Sequence, residues 1–259
     1  MKKLFAIILA VASMLGASAQ SGRVLSFDNP DVKIFLPPSG INTGKAIVCC
    51  PGGGYSIVAA QHEGYDWAPF FNVQGVALAV VNYRLPGGDR EIPMSDVRAA
   101  YKLLTDSAAV WGINPNAIGV MGSSAGGHLA SAVATHPTPE CKPAFQILFY
   151  PVASLDSAIT HKGTRSGFLG KNNTDENAAI WSAENNINAE SPKTLLFHSS
   201  DDTCVNPQNS IRLFNALQKA GVPVAMHLYP TGDHGWGFKK DFKYHDIILD
   251  EIALWLTSF

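Results

Sequence analysis

The stretch from Ile118 to His128 reads I-G-V-M-G-S-S-A-G-G-H. Its apolar first part is typical of a buried strand, and the small residues after the serines are typical of a helix. A serine at a sharp strand-to-helix turn needs small residues two places before and two places after it, because the backbones crowd there. Gly122 and Gly126 meet that need around Ser124. The pattern therefore predicts strand, tight turn and helix, with the Ser124 hydroxyl exposed as a candidate nucleophile.

Strand-like and helix-like segments alternate along the rest of the chain. Strands are predicted within residues 24–36 and at 46–50, 76–83, 144–150, 194–198 and 224–229. Helices are predicted at 62–74, 95–110, 207–220 and 241–257, with Ser95 capping the second of them and Asp96 serving its N-terminus. Such alternation predicts a doubly wound, mostly parallel α/β sheet whose faces are both covered.

Length and composition suit one domain. Residues 20–259 are enough for a full α/β core. The polar, irregular segment 153–191 is interpreted as a short insertion, a minimal cap over the carboxyl edge of the sheet, rather than as a second domain.

The first nineteen residues predict a removed signal peptide and export to the periplasm or beyond the cell. Two lysines precede an apolar stretch that is too short to span a bilayer comfortably, and Ala17-Ser18-Ala19 supplies small residues for cleavage. Removing Lys2 and Lys3 from 19 basic residues leaves 17 against 21 acidic residues, a net charge of −4. That balance, without any basic run, argues against nucleic acid and anionic membranes as partners.

The four cysteines predict neither a disulfide scaffold nor a metal site. Cys49 and Cys50 are adjacent in a strand and therefore face opposite ways. Cys141 and Cys204 stand alone, and the chain has no C-x-x-C pair. Export permits a bridge, but buried free thiols are the expected state. No metal and no cofactor are expected.

Two further polar residues follow predicted strands in the chain order that a serine nucleophile needs. A serine hydroxyl needs a base to take its proton and an acid to orient that base. His234 follows the last strand and is the candidate base, and Asp202 is the preferred acid, with Asp201 as the alternative. Because the carboxyl ends of parallel strands share one edge of a sheet, we expect these groups to meet Ser124.

Attack on a carbonyl creates an oxyanion, which needs N–H donors already in place. Ala125 follows the candidate nucleophile and offers one donor at a helix N-terminus. A glycine loop, P-G-G-G-Y at residues 51–55, ends a predicted strand and lets backbone amides approach a ligand closely. We therefore assign the other donors of this oxyanion hole to Gly53 and Gly54.

Together these motifs resemble the α/β-hydrolase superfamily, in particular its small exported bacterial carbohydrate esterases of the acetylxylan and feruloyl esterase type. The resemblance spans about residues 46–238 and is strongest at V-N-Y-R-L, residues 81–85, and G-S-S-A-G-G-H-L, residues 122–129. Pro51 stands where lipase-like members carry a histidine, which argues against a close lipase.

The resemblance implies hydrolysis of an ester through an acyl-enzyme, without a cofactor. The implied substrate is a small ester or an acylated plant oligosaccharide, with acetyl and feruloyl groups both open, as is the oligomeric state. Four aromatic residues are candidates for sugar-stacking or acyl-pocket surface, with plain packing as the alternative: Tyr55, Phe168, Trp181 and Trp236. An exported serine peptidase of the same fold and a non-catalytic binding protein on a hydrolase scaffold remain the alternative functions.

Overall fold

A mostly parallel sheet of eight strands forms the centre of the computed structural model, which describes residues 22–259. The predicted signal peptide, residues 1–19, lies outside the described residues. The strand order is β1-β2-β4-β3-β5-β6-β7-β8; β2 runs antiparallel to β1 and β4, and the other neighbouring pairs are parallel. The predicted parallel α/β sheet is confirmed. The strands are β1 (Arg23–Asp28), β2 (Asp31–Leu36), β3 (Ala46–Cys50), β4 (Ala77–Val81), β5 (Ile118–Ser123), β6 (Phe145–Phe149), β7 (Lys193–Ser199) and β8 (Val224–Tyr229).

Helices cover both faces of this sheet. One apolar cluster includes residues of α2, α4 and α7, and the other includes residues of α1 and α8. Cys49 and Cys50 are neighbours on β3 and belong to opposite clusters, as alternating side chains of a strand must. The helices are α1 (Ala68–Val73), α2 (Glu91–Asp106), α3 (Ala108–Trp111), α4 (Ser124–Thr135), α5 (Lys162–Leu169), α6 (Asp175–Ile180), α7 (Gln208–Lys219) and α8 (His245–Leu256).

Two predicted elements near the start of the chain, the strand within 24–36 and the helix at 62–74, are shorter than the sequence pattern suggested. Residues 24–36 are not one strand but the antiparallel pair of β1 and β2. The helix predicted over 62–74 consists of a 3-10 turn at Tyr65–Trp67 followed by α1. Pro69 lies in the first turn of α1, where its missing N–H has no intrahelical partner to lose, so the helix starts there.

Helix α2 begins four residues before the predicted cap. Ser95 lies inside this helix, and its hydroxyl donates to a backbone carbonyl of the same helix, so the prediction that it caps the helix is wrong. Pro93 is accommodated because the first turn of a helix needs no N–H there. The carboxylate of Asp89 accepts the N–H of Glu91 at 3.0 Å and supports the earlier start.

Asp96 serves the loop after β4 and not the helix N-terminus, which corrects the second expectation for this helix. Its Oδ2 accepts the backbone N–H of Arg84 at 2.8 Å, and its Oδ1 accepts the Arg84 guanidinium Nη2 at 2.7 Å. The pair therefore fixes the path of the chain just past the end of β4.

The segment between β6 and β7 is more regular than its composition predicted. It contains α5, whose N-cap His161 accepts the N–H of Thr164, and α6, whose N-cap Thr174 accepts that of Asn177. Arg165 is only 9% exposed and holds the segment together. Its guanidinium donates to the Leu155 carbonyl at 3.0 Å, and to the Asn173 and Asp175 side chains at 2.7 Å each.

All four cysteines are free thiols. Cys49, Cys50 and Cys141 are buried as predicted, but Cys204 is exposed, because it lies in the loop after β7 instead of in the core. No group of three or more potential ligands that could hold a metal ion occurs among residues 22–259. Over the same range, no helix has the length and apolarity that crossing a membrane requires.

Candidate active site

Ser124 lies at the turn between β5 and α4, with its backbone in the left-handed region at φ 53°. A Cβ on Gly122 would collide with the backbone oxygen of Gly126, and a Cβ on Gly126 would collide with that of Cys50. Larger residues at either position would therefore push the turn apart. The turn leaves Ser124 at the carboxyl edge of the sheet, where 7% of the residue is exposed.

The structure brings three of the predicted residues into one hydrogen-bonded chain. His234 Nε2 lies 2.9 Å from Ser124 Oγ, and His234 Nδ1 lies 2.7 Å from Asp202 Oδ2. A carboxylate can only accept, so Nδ1 carries the hydrogen of the neutral ring and Nε2 is left to accept the serine proton. The three side chains follow the carboxyl ends of β5, β7 and β8, as expected for residues that meet at one edge of a parallel sheet.

Asp202 is held ionised by several donors. Its Oδ1 accepts the backbone N–H groups of Val205 at 2.7 Å and Cys204 at 2.9 Å, and His198 Nε2 lies 3.2 Å from its Oδ2. Burial alone would raise the pKa of Asp202, but hydrogen bonds from His198, His234 and the Val205 N–H together bring that pKa well below its usual range. A permanent negative charge therefore faces His234 Nδ1.

Asp201 supports a neighbouring loop and does not contact His234. Its carboxylate accepts the backbone N–H groups of Asp233 at 2.9 Å and Gly232 at 3.3 Å. Asp233 in turn accepts the N–H of Thr203 at 2.9 Å and its hydroxyl at 2.8 Å. These contacts join the loop after β7 to the loop after β8. The loops that carry Asp202 and His234 therefore stabilise each other.

The glycine loop after β3 lies against the serine. A Cβ added to Gly52 would approach the Ser124 Cβ to 3.0 Å. The carbonyl of Gly53 accepts the N–H groups of Ser56 at 3.0 Å and Ile57 at 3.2 Å, which curls the loop back on itself. Gly53 and Gly54 have positive φ values of 128° and 65°, a backbone shape that favours glycine.

Within the described part of the chain, the backbone N–H groups assigned to the oxyanion hole are available to bind a ligand. No acceptor among residues 22–259 takes the N–H of Gly53 or Gly54. Ala125 lies in the first turn of α4, where backbone N–H groups have no intrahelical acceptor. The assignment of the Gly53, Gly54 and Ala125 N–H groups to an oxyanion hole stays a prediction.

Two residues beside the site escaped the sequence analysis. Glu63 is 3% exposed and accepts the N–H of Gly52 at 2.7 Å and the hydroxyl of Tyr150 at 2.6 Å. The Tyr150 ring lies 4.6 Å from the His234 ring, centroid to centroid. Tyr150 directly follows β6, so the strand-end rule that selected the other site residues could have found it. Glu63 had no such signal, because it lies in a loop between β3 and α1.

A histidine from the segment after β6 reaches the glycine loop. A Cβ on Gly54 would lie 3.5 Å from Cε1 of His161. The Nδ1 of this ring accepts the N–H of Thr164 at 3.2 Å, so the hydrogen of the neutral ring lies on Nε2. Burial first, and the charge of His234 second, lower the pKa of His161. Its ring is therefore neutral at physiological pH.

The four aromatic candidates for substrate binding are mostly packing residues. Phe168 is fully buried and stacks on Tyr55, which is 5% exposed and donates its hydroxyl to His128 Nδ1 at 2.9 Å. Trp236 is 3% exposed and stacks on Phe242. Among the four, Trp181 alone is partly exposed, and its ring stacks on His136 and packs edge-on against Phe168. These rings are packed against other side chains and offer little free face for a sugar.

Known proteins similar to this chain are esterases and xylan-degrading enzymes. An acetylxylan esterase from Xylanibacter ruminicola is 44% identical over 228 residues, which cover 86% of this chain and 47% of that protein. An endo-1,4-beta-xylanase B from Butyrivibrio fibrisolvens is 29% identical over 206 residues, 74% of this chain and 32% of that protein. The chain therefore spans half or less of the length of these curated relatives.

A solved structure and a family model agree with these relatives. The crystal structure of an acetyl ester-xyloside bifunctional hydrolase from Caldicellulosiruptor lactoaceticus has a TM-score of 0.83 and 31% identity, covering 94% of this chain and 98% of that one. The predicted α/β-hydrolase fold is thereby confirmed. The model of the BD-FAE family matches residues 32–217, well over half of the chain. The protein belongs to the BD-FAE family, within the α/β-hydrolase fold.

Proposed function

We propose that the protein is a serine esterase that removes short acyl groups, acetyl foremost, from plant polysaccharide fragments. One observation carries the proposal: Ser124, His234 and Asp202 form an unbroken hydrogen-bonded chain at the carboxyl edge of the sheet, with contacts of 2.9 and 2.7 Å. Such a chain can turn a serine hydroxyl into a nucleophile.

The proposed reaction proceeds through an acyl-enzyme. His234 Nε2 takes the proton of Ser124 Oγ as the oxygen attacks the ester carbonyl, and Asp202 stabilises the imidazolium that forms. The N–H groups of Gly53, Gly54 and Ala125 stabilise the developing oxyanion. His234 then protonates the ester oxygen of the sugar, which leaves as a hydroxyl group. It next takes a proton from the water that attacks the acyl-enzyme, and returns this proton to Ser124 Oγ as the acid is released.

The choice of substrate class rests on the relatives. The acetylxylan esterase and the xylanase both bear names that refer to xylan, and the similar solved structure is described as an acetyl ester-xyloside hydrolase. We place acetyl esters first for that reason and keep feruloyl esters as the second acyl group to be tested. Export, which the leader at residues 1–19 predicts, would bring the site to polysaccharide that cannot enter a cell.

The first experiment compares the wild-type protein with Ser124→Ala on p-nitrophenyl acetate. We expect kcat/KM to fall by at least about 10⁴-fold, because the nucleophile is lost. Ser123→Ala is the matched control, since Ser123 lies one residue earlier, is fully buried and belongs to β5, before the turn. Undiminished turnover in Ser124→Ala would overturn the proposal.

A second experiment identifies the acyl group. Acetylated xylan and feruloylated arabinoxylan are each incubated with the wild-type protein and with Ser124→Ala, and the released acids are measured by mass spectrometry. We expect acetate from the first polymer in the wild-type reaction alone. Ferulate without acetate would reverse the proposed preference, and faster cleavage of a peptide p-nitroanilide than of any ester would favour a peptidase.

A further inference from the structure

The carboxylate of Glu63 is buried beside the candidate active site, yet it takes no part in the chain of Ser124, His234 and Asp202. The residue is 3% exposed, and none of the ion pairs within residues 22–259 involves it. A buried carboxyl group without a cation is costly, so its hydrogen bonds must stabilise it. Those bonds therefore indicate what the residue does.

The directions of these hydrogen bonds are fixed by chemistry. The N–H of Gly52 can only donate, and it donates to Glu63 Oε2 at 2.7 Å. The N–H of Gly237 donates to the Tyr150 hydroxyl oxygen at 2.7 Å, which leaves the hydroxyl hydrogen of Tyr150 for Glu63 Oε1 at 2.6 Å. Glu63 thus accepts twice and donates nothing, the pattern of a carboxylate.

The two oxygens of Glu63 connect two separate parts of the site. Through Gly52, Oε2 holds the loop that carries the proposed oxyanion donors and lies against the serine. Through Tyr150 and Gly237, Oε1 holds the loop that carries His234, and the Tyr150 ring packs edge-on against the His234 ring. A second contact joins the same regions, since Phe238 N–H donates to the carbonyl of His62 at 2.7 Å.

We propose that Glu63 is a positioning residue, whose carboxylate holds the glycine loop and the histidine loop in place around Ser124. This inference rests on the proposed esterase function. Donors and a base that are fixed before the substrate arrives stabilise the transition state more than the bound ester. The contribution of Glu63 should therefore be seen in kcat, with little change in KM.

The test uses Glu63→Gln, Tyr150→Phe and the double variant on p-nitrophenyl acetate. A fluorophosphonate titration counts the active sites in each sample, so that kcat refers to correctly folded protein. Glutamine keeps one acceptor oxygen for Gly52 but offers N–H to Tyr150, which leaves the tyrosine hydrogen without its acceptor. We expect kcat per titrated site to fall about tenfold in each single variant, with KM within about twofold, because small displacements of reacting groups are costly.

The double variant tests whether Glu63 and Tyr150 act as one unit. If they do, the double variant should be about as slow as the slower single variant, and its effect should not be the product of the two. Glu251→Gln is the matched control: Glu251 is a partly buried carboxylate on α8, 3.6 Å from His227, and its loss should leave kcat unchanged.

The outcomes separate this inference from the proposed function. If the wild-type protein hydrolyses the ester, Ser124→Ala does not, and Glu63→Gln and Tyr150→Phe both turn over normally per titrated site, Glu63 is only structural and this inference is wrong. If the wild-type protein hydrolyses no ester at all, the proposed function fails and the inference fails with it. Should Glu63→Gln not fold, Tyr150→Phe alone decides, since it removes one hydroxyl and keeps the ring.

Discussion

At the scale of single residues, Asp201 and Asp202 have the same side chain and quite different surroundings. The Asp202 carboxylate is inaccessible to solvent and lies 2.7 Å from His234 Nδ1, whereas Asp201 is exposed and accepts backbone N–H groups of the next loop. Sequence reasoning preferred Asp202 but left both open, because both follow β7 directly. Only the path of the loop decides which one faces the imidazole.

This difference predicts unequal effects of two equivalent substitutions. In Asp202→Asn, His234 loses the charge that fixes its tautomer and stabilises its protonated form, so we expect kcat/KM on p-nitrophenyl acetate to fall about 10³- to 10⁴-fold. Asp201→Asn keeps an acceptor oxygen and should cost less than about tenfold. Equal losses in the two variants would mean that Asp202 is not the acid.

At the scale of secondary-structure elements, the parallel strands were the easiest to predict. The predicted strands at 46–50 and 224–229 coincide with β3 and β8, because short apolar runs between glycine- and proline-rich loops leave few alternatives. Helix α2 was placed four residues late because a proline in its first turn looked like a boundary. Helices α5 and α6 were missed, since eight and six residues are too few to show a periodic pattern.

The short helices after β6 depend on tertiary contacts, chiefly those of Arg165. Arg165→Ala would leave the Leu155 carbonyl and the Asn173 side chain without their donors, so we expect the free energy of unfolding to fall by about 2–4 kcal/mol. Arg212→Ala is the control, because its ion pair with Asp156 is half exposed and worth at most about 1 kcal/mol. Urea denaturation measures both, and equal losses would contradict the buried role of Arg165.

At the scale of the whole molecule, one buried histidine makes the stability of the folded protein depend on pH. His128 on α4 is fully buried; its Nδ1 accepts the Tyr55 hydroxyl, and its Nε2 donates to the Trp181 carbonyl at 3.3 Å. Burial lowers the pKa of His128 to about 4, which the Trp181 hydrogen bond only partly opposes. The folded protein therefore keeps this ring neutral where an unfolded chain would protonate it.

The sign of the resulting pH dependence follows from the two pKa values. Between about pH 6.5 and the folded pKa of about 4, the unfolded chain binds one more proton at His128 than the folded protein does. Stability therefore falls as pH falls through this window, by about 3 kcal/mol in total from this group. Urea denaturation at about pH 7 and about pH 4.5 should show a smaller loss for His128→Phe than for the wild-type protein. An identical loss would show that His128 does not remain neutral in the folded protein.

The single exposed thiol provides a natural site for attaching a chemical label. Of the four cysteines, only Cys204 reaches solvent, and its own N–H is bonded to the carboxylate of Asp202. Burial and the charges of Asp202 and Asp233 raise its pKa, so a maleimide dye would attach to it more slowly than to an unperturbed cysteine. A fluorophore attached to Cys204 would move with the loop that carries Asp202. It would report the motion of this loop during turnover without any substitution in the sequence.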